Sequence, residues 1–184
     1  MDNGKFIMLA LILIFLILII LLFLLSMLWP PDSPWSPWWR TTVKLARIEC
    51  DLAKVKKGDV IFDLGSGDGT ALTIAAKEYS ATGVGIEIDL LRVFISKIKI
   101  RLSGAASKVE IRRDSFWNQN ISDATVVFMY LIPKTLMKLR PKLLKELKPG
   151  TRVVTFVYKI DLPLIAQNTK NEVYVYEIPK KKKD

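Results

Sequence analysis

The stretch V-I-F-D-L-G-S-G-D-G, Val60 to Gly69, decides the fold of this chain. Three β-prone apolar residues lead into Asp63, and three glycines then fall at alternate positions. The pattern predicts a buried strand that runs straight into a loop whose backbone comes close to a ligand. Such a loop, followed by a helix, is how an α/β sheet holds a nucleotide-like molecule.

The glycine spacing narrows the ligand. A dinucleotide fingerprint needs G-x-G-x-x-G, but Gly65, Gly67 and Gly69 stand in G-x-G-x-G, with Thr70 next. No G-x-x-x-x-G-K-[ST] occurs, so a triphosphate cradle is not expected. Asp63 and Asp68 flank the glycines and would repel a phosphate. A cationic ligand would be welcome there. S-adenosyl-L-methionine carries a sulfonium and an ammonium and no phosphate.

Outward from this loop, strand and helix patterns alternate. Thr41 to Val55 reads as an amphipathic helix with Val43, Ala46, Cys50 and Ala53 at helical spacing. Thr70 to Tyr79 is a second helix, Gly83 to Ile88 a second strand and Leu90 to Leu102 a third helix. That third helix is expected to turn Leu91, Phe94, Ile95 and Ile98 inward and to leave Arg92, Lys99 and Arg101 in water. Strands follow at Val109 to Arg112 and Thr125 to Leu131, then a helix at Leu136 to Leu147 that restarts at Pro141. Strands at Thr151 to Tyr158 and Glu172 to Ile178 close the pattern. Continuous apolar strands alternating with helices predict an α/β, Rossmann-like fold: a mostly parallel twisted sheet with helices on both faces.

The acidic residues fall at strand ends. Glu87 ends the second strand, 22 residues after Gly65, where a carboxylate accepts hydrogen bonds from a ribose diol. A carboxylate there also suits capping of the next helix, although Asp89, directly before Leu90, is the better cap. Asp114 ends the third strand and can reach an adenine amino group, with Phe116 or Trp117 covering the ring; an ordinary turn aspartate is the other reading. Asp63 is expected to order the glycine loop or receive the ligand's ammonium, and Asp68 to face a cation. The expected cofactor-binding set is Asp63, Gly65, Ser66, Gly67, Asp68, Gly69, Glu87, Asp114 and Phe116.

Composition bounds the rest. Phe6 to Trp29 is 24 residues without a charge. As a helix it would be roughly 36 Å long, enough for a ~30 Å hydrocarbon core. It lacks the short apolar region and small-residue cleavage site of a signal peptide. Residues 6–29 therefore read as a single-pass transmembrane anchor preceding the α/β domain. Lys5 precedes the segment, and Arg40, Lys44 and Arg47 follow it, an excess that puts the C-terminal domain on the cytoplasmic side. Residues 30–40 hold Pro30, Pro31, Pro34 and Pro37 with Trp35, Trp38 and Trp39. This stretch reads as a stiff interfacial tether, or as rings packed on the domain. The net charge of +10 lies wholly after Trp29, because Asp2 and Lys5 cancel before it. A basic domain beside a bilayer points to anionic lipid or an acidic partner rather than nucleic acid. Residues 180–184 form a basic tail. With one cysteine and no histidine, a disulfide framework, a Cys/His zinc site and His-dependent nucleophilic catalysis are excluded; no metal is expected.

D-L-G-S-G-D-G, then G-I-E-I-D, then a strand-end Asp, resembles a class I S-adenosylmethionine-dependent methyltransferase. With S-D-A-T-V-V-F-M-Y-L-I-P and L-R-P-K-L-L-K-E-L-K-P-G-T-R-V-V added, the chain is similar to prokaryotic relatives of the membrane-anchored mitochondrial lysine methyltransferases that modify the ATP synthase c-subunit and the adenine nucleotide translocase. The resemblance covers roughly Thr41 to Tyr158 and implies a methyltransferase domain at residues 41–179. It also implies S-adenosyl-L-methionine as cofactor and a lysine of a membrane protein as acceptor. Tyr130, Leu131, Ile132 and Pro133 fall on the family's substrate-facing loop, and Tyr130 and Asp68 are the candidate catalytic residues, Asp68 as proton acceptor. Related sequences carry a Pro-containing motif before the first domain helix, where this chain reads W-W-R-T-T-V-K, Trp38 to Lys44. Methylation of a lipid or small membrane amine, and a non-catalytic tethered binding protein, are the competing readings.

Overall fold

The computed structural model describes residues 3–28 and 39–180. They form two compact units, divided at Trp38 and Trp39. The first holds helix α1, Asn3–Leu28. Its span Gly4–Leu25 is long and apolar enough to cross a membrane, and none of it is buried against protein. Trp29 at the end of the expected anchor, residues 30–38 of the tether and the tail beyond Lys180 lie outside the described residues.

The second unit is built on one seven-stranded sheet in the order β3-β2-β1-β4-β5-β7-β6. The strands are β1 Val60–Leu64, β2 Thr82–Glu87, β3 Val109–Arg113, β4 Val126–Met129, β5 Arg152–Phe156, β6 Leu164–Asn168 and β7 Val173–Glu177. β1 to β5 are mutually parallel, and β7 inserts antiparallel between β5 and β6. Sequence patterning finds six of the seven. β6 (L-I-A-Q-N) has no clean alternation, is largely exposed, and exists because β7 offers it an edge.

β1 lies between β2 and β4, so the chain leaves β1 first to one side and later to the other. This is the switch point at which open α/β sheets bind ligands, outside the carboxyl ends of the strands. Side chains alternate across the sheet. Ile61 of β1 joins Val126 and Phe128 of β4 in one core, with α2 (Val43–Leu52), α3 (Thr70–Glu78) and α4 (Leu90–Leu102). Phe62 and Leu64 join Val127 and Met129 on the opposite face, under α5 (Pro133–Glu146) and its buried Leu136, Leu139 and Leu143. At the far edge, Asp59 accepts Lys56 N–H and Thr125 Oγ1–H and pairs with Arg152, tying β1, β4 and β5 together away from the ligand edge.

Two expectations about the helices need correction. α5 begins at Pro133, not Leu136, and runs unbroken through Pro141. Pro133 supplies the preset φ of a first helical turn. The inward face of α4 is Arg92, Val93, Ser96 and Ile100. Phe94 and Ile98, expected inside, are exposed, and Arg92, expected in water, is buried. Ser96 and Ile100 lie against the glycine loop, within 3.4 Å of where a Cβ on Gly69 would stand. Close backbone contact therefore selects the small face of α4, and its bulkiest residues are turned outward.

Candidate functional site

The carboxyl ends of β1 to β4 bring the acidic strand-end residues to one edge. Leu64 pairs with Ile86 and Met129, and Glu87 with Arg113. Asp114 donates its N–H to the Glu87 carbonyl at 3.2 Å. The loop Gly65–Gly69 folds back over β2. Gly65, Gly67 and Gly69 have φ of 89°, 54° and 71°, a region costly for residues with a Cβ.

Four of the five amides of the loop are spent internally. Gly65 and Ser66 donate to the Ile86 carbonyl at 2.9 and 3.1 Å, and Gly69 to Ser66 at 2.9 Å. Gly67 donates to Glu87 Oε2 at 2.9 Å, and Thr70 N–H to Asp68 Oδ1 at 3.1 Å. A phosphate cradle requires such N–H groups to be free. Buried carboxylates line the loop instead: Asp63, Asp68 and Glu87 are all 5–7% exposed. An acidic loop with most of its donors already used suits a cation and disfavours a phosphate, and so fits S-adenosyl-L-methionine.

Glu87 holds its own neighbourhood together. Beyond Gly67, it accepts the Asp89 N–H on Oε1 at 3.0 Å, while Asp89 caps α4 by accepting Arg92 N–H at 2.8 Å. Each Glu87 oxygen keeps a further lone pair able to accept one more hydrogen bond. Asp114 is tied down more fully. It accepts Ser115 N–H, Asn118 Nδ2 and Gln119 Nε2 at 2.6, 3.1 and 2.7 Å, and these bonds hold its carboxyl below the ordinary range. In this conformation it orders the loop that presents Phe116 and Trp117, whose rings lie 5.1 Å apart.

The geometry argues against Asp68 as a proton acceptor. Its Oδ1 is bound by Thr70 N–H and Oγ1–H, and its Oδ2 pairs with Lys99 at 3.0 Å and Arg40 at 2.9 Å. Burial works the other way, but together the Thr70 and Lys99 contacts hold the carboxyl below its ordinary value. A carboxylate so stabilised as an anion is a weak base. Asp68 instead caps α3, whose N-cap Gly69 has no side chain to do so.

The loop after β4, expected to face the acceptor, is aromatic. Tyr130 follows β4, and its ring meets Phe156 edge-on, with centroids 4.5 Å apart. Burial, then the nearby Tyr158 and Glu172, push the Tyr130 hydroxyl up. That hydroxyl makes no hydrogen bond within the described residues. Leu131 is buried, Ile132 caps α5 and Pro133 is exposed. Between Phe156 and Tyr158, Val157 has φ of 65°, an outlier for a β-branched residue, and Tyr158 N–H closes on the Phe156 carbonyl at 2.8 Å. Strained backbone of this kind concentrates at functional sites.

Sequence reasoning missed Glu49. It lies on the buried face of α2 with Ala46 and Cys50, and Asp63 projects from β1 to the same side of the sheet as Ile61. Glu49 is 6% exposed. Neither carboxyl has a side-chain partner among the described residues. Burial, then the Asp63 charge, pushes Glu49 up to about 8. Burial, then Glu87 and Asp68, pushes Asp63 up to about 7. Exclusion of water holds both carboxyls toward their protonated forms. The available signal was an acidic residue inside the helix's apolar stripe. Lys99 and Arg40, the partners of Asp68, carried no such signal.

A sheet of this order, with a glycine loop lined by buried carboxylates at its switch point, fits the class of S-adenosyl-L-methionine-dependent methyltransferases. Known proteins agree. The chain belongs to the family of the ANTKMT methyltransferase domain, whose family model matches residues 63–163. A protein-lysine N-methyltransferase of Saccharolobus islandicus is 36% identical over 146 residues, covering 75% of this chain and 91% of that protein. The human lysine N-methyltransferase of the ATP synthase c-subunit is 27% identical over 56% of this chain, which spans only 43% of it. Among solved structures, an RNA methyltransferase from Salinibacter ruber, in complex with S-adenosyl-L-homocysteine, is 36% identical with a TM-score of 0.74, over 79% of this chain and 97% of that one.

Proposed function

We propose that this methyltransferase is a membrane-anchored protein-lysine N-methyltransferase with its domain on the cytoplasmic side. The observation that carries the acceptor reading is Tyr130, whose half-buried hydroxyl has no partner among the described residues, beside Phe156, Tyr158 and Glu172. Aromatic faces with a nearby carboxylate suit an incoming amine and offer nothing to a phosphodiester backbone. The lysine relatives support the same class of acceptor. The anchor rests on the apolar helix Gly4–Leu25.

The sulfonium of the bound cofactor supplies an activated methyl group. The chain's own task is to hold a neutral amine in line with it and keep water out. The Tyr130 hydroxyl accepts a hydrogen bond from the amine and fixes its direction. The aromatic walls desolvate the lysine ammonium, which lowers its pKa and releases its proton to solvent before transfer. No strong base is then required, in keeping with an Asp68 committed to Thr70 and Lys99. Asp63, at the end of β1 where the glycine loop begins, is the carboxylate offered to the cofactor's ammonium.

The test is to incubate the whole chain with methyl-labelled cofactor and native membranes, then resolve the label by class. Label on lysine of a membrane protein is expected. Label extracting with lipid, or found in RNA, overturns the lysine reading.

A further inference from the structure

The outer face of α4 has no partner within the described residues. Leu90, Phe94, Ile98 and Leu102 recur every fourth position and are 58%, 61%, 44% and 83% exposed. Residues four apart advance only about 40° around an α-helix, so the four side chains form one winding apolar stripe. Elsewhere in the domain, the exposed large apolar residues Trp39, Val43, Met137, Tyr158, Leu164 and Ile165 come one or two at a time. Lys97 and Arg101, both exposed, lie along one margin of the stripe. The inner face of the same helix is already used: Val93, Ser96 and Ile100 are buried and Lys99 reaches Asp68.

We infer that the Leu90–Phe94–Ile98–Leu102 face of α4 docks on an anionic bilayer surface, with Lys97 and Arg101 reaching the headgroups. An apolar helix face edged by Lys and Arg is the pattern of a helix lying in the membrane interface, and long basic side chains reach outward from such a position. Charge favours lipid over a second copy. Face-to-face association would bring two chains of net charge +10 together with their basic margins facing, whereas anionic headgroups neutralise that charge. The apolar span Gly4–Leu25 supplies the nearby bilayer, so this inference rests on the membrane reading above. Docking would hold the glycine loop, which packs on the opposite side of α4, about one helix diameter, 10–12 Å, from the lipid. The site would then favour lysines that lie close to the membrane surface.

The test uses the whole chain in vesicles of phosphatidylcholine and phosphatidylserine with brominated acyl chains. An environment-sensitive fluorophore is attached at Leu102→Cys or, as control, at Met137→Cys, exposed on α5 across the sheet. Cys50 is buried and stays unlabelled. Quenching by brominated lipid is expected to be several-fold stronger at 102 than at 137, and to weaken when Lys97→Glu and Arg101→Glu are added. Equal quenching at both positions overturns the docking surface while leaving the anchor intact. A chain that does not float with vesicles overturns both. A spectral shift at 102 that follows protein concentration in detergent, without lipid, assigns the face to a second copy and overturns it as well. Methyl transfer to lysine is measured separately, so neither failure is confused with that reading.

Discussion

Replacing Glu49 by Gln should change how stability depends on pH. In the folded chain burial raises this carboxyl from an ordinary 4.5 to about 8. Within that window the folded chain holds the proton and the unfolded chain does not. The folded state binds more protons, so stability must fall as pH rises. The loss is roughly 1.4 kcal/mol per pH unit for this one group. Between pH 5.5 and 8 it amounts to about 3 kcal/mol, or on the order of 10 °C in the midpoint of a domain this size. Gln cannot ionise and removes this slope. It also buries an amide with no assured partner, a cost that is constant with pH, so the slope rather than the absolute midpoint carries the information. The assay is calorimetric unfolding of the whole chain in mild detergent, without cofactor, at a series of pH values. The wild-type midpoint should fall steeply from pH 5.5 to 8, and the variant less so, the remainder belonging to Asp63. Parallel curves for the two proteins would refute the buried protonated Glu49.

Glu87→Ala should lower cofactor affinity about tenfold or more, because hydrogen bonds to a charged group contribute about 1.5–3 kcal/mol. It should also lower stability by about 2–4 kcal/mol, since it leaves the Gly67 and Asp89 N–H groups without their acceptors; titration calorimetry and urea unfolding measure the two separately. Gly85→Ala would place a Cβ 2.5 Å from Ile111 Cδ1 and 2.6 Å from Ser66 Oγ, and should cost about 1–3 kcal/mol in unfolding free energy while distorting the cofactor loop. Val157→Gly should raise the unfolding midpoint by relieving a conformation worth about 1–3 kcal/mol of strain. The same change should reduce turnover more than cofactor affinity if that strain positions the Tyr130–Phe156 pair, which a kcat measurement beside cofactor titration resolves.

Much of the fold was legible because its strands are buried on both faces and therefore apolar without interruption. β1, β2 and β4 lie within two residues of their expected bounds. α4 matches from Leu90 to Leu102, yet its orientation was misjudged. A helix with apolar residues on two faces does not declare which of them packs inward. The glycine loop's need for close backbone contact chose the face with Ser96. β6 was illegible for a different reason, since its pairing depends on an edge made by a strand that follows it in sequence.

At the candidate site, sequence alone determined the residue types and their order: a glycine loop between carboxylates, Glu87 one strand later, Asp114 the next, and an apolar segment ahead of them all. Spacing along a chain sets which groups end which strands, and strand ends in a parallel sheet share one edge. Only the tertiary structure decided what each carboxylate does there. It turned Asp68 onto Thr70 and Lys99, gave Asp114 to its own loop, and left Glu49 and Asp63 buried on one side of the sheet. Those roles depend on which donors come within about 3 Å and on how much water is excluded. Both are properties of packing between segments distant in sequence, to which the local pattern is blind.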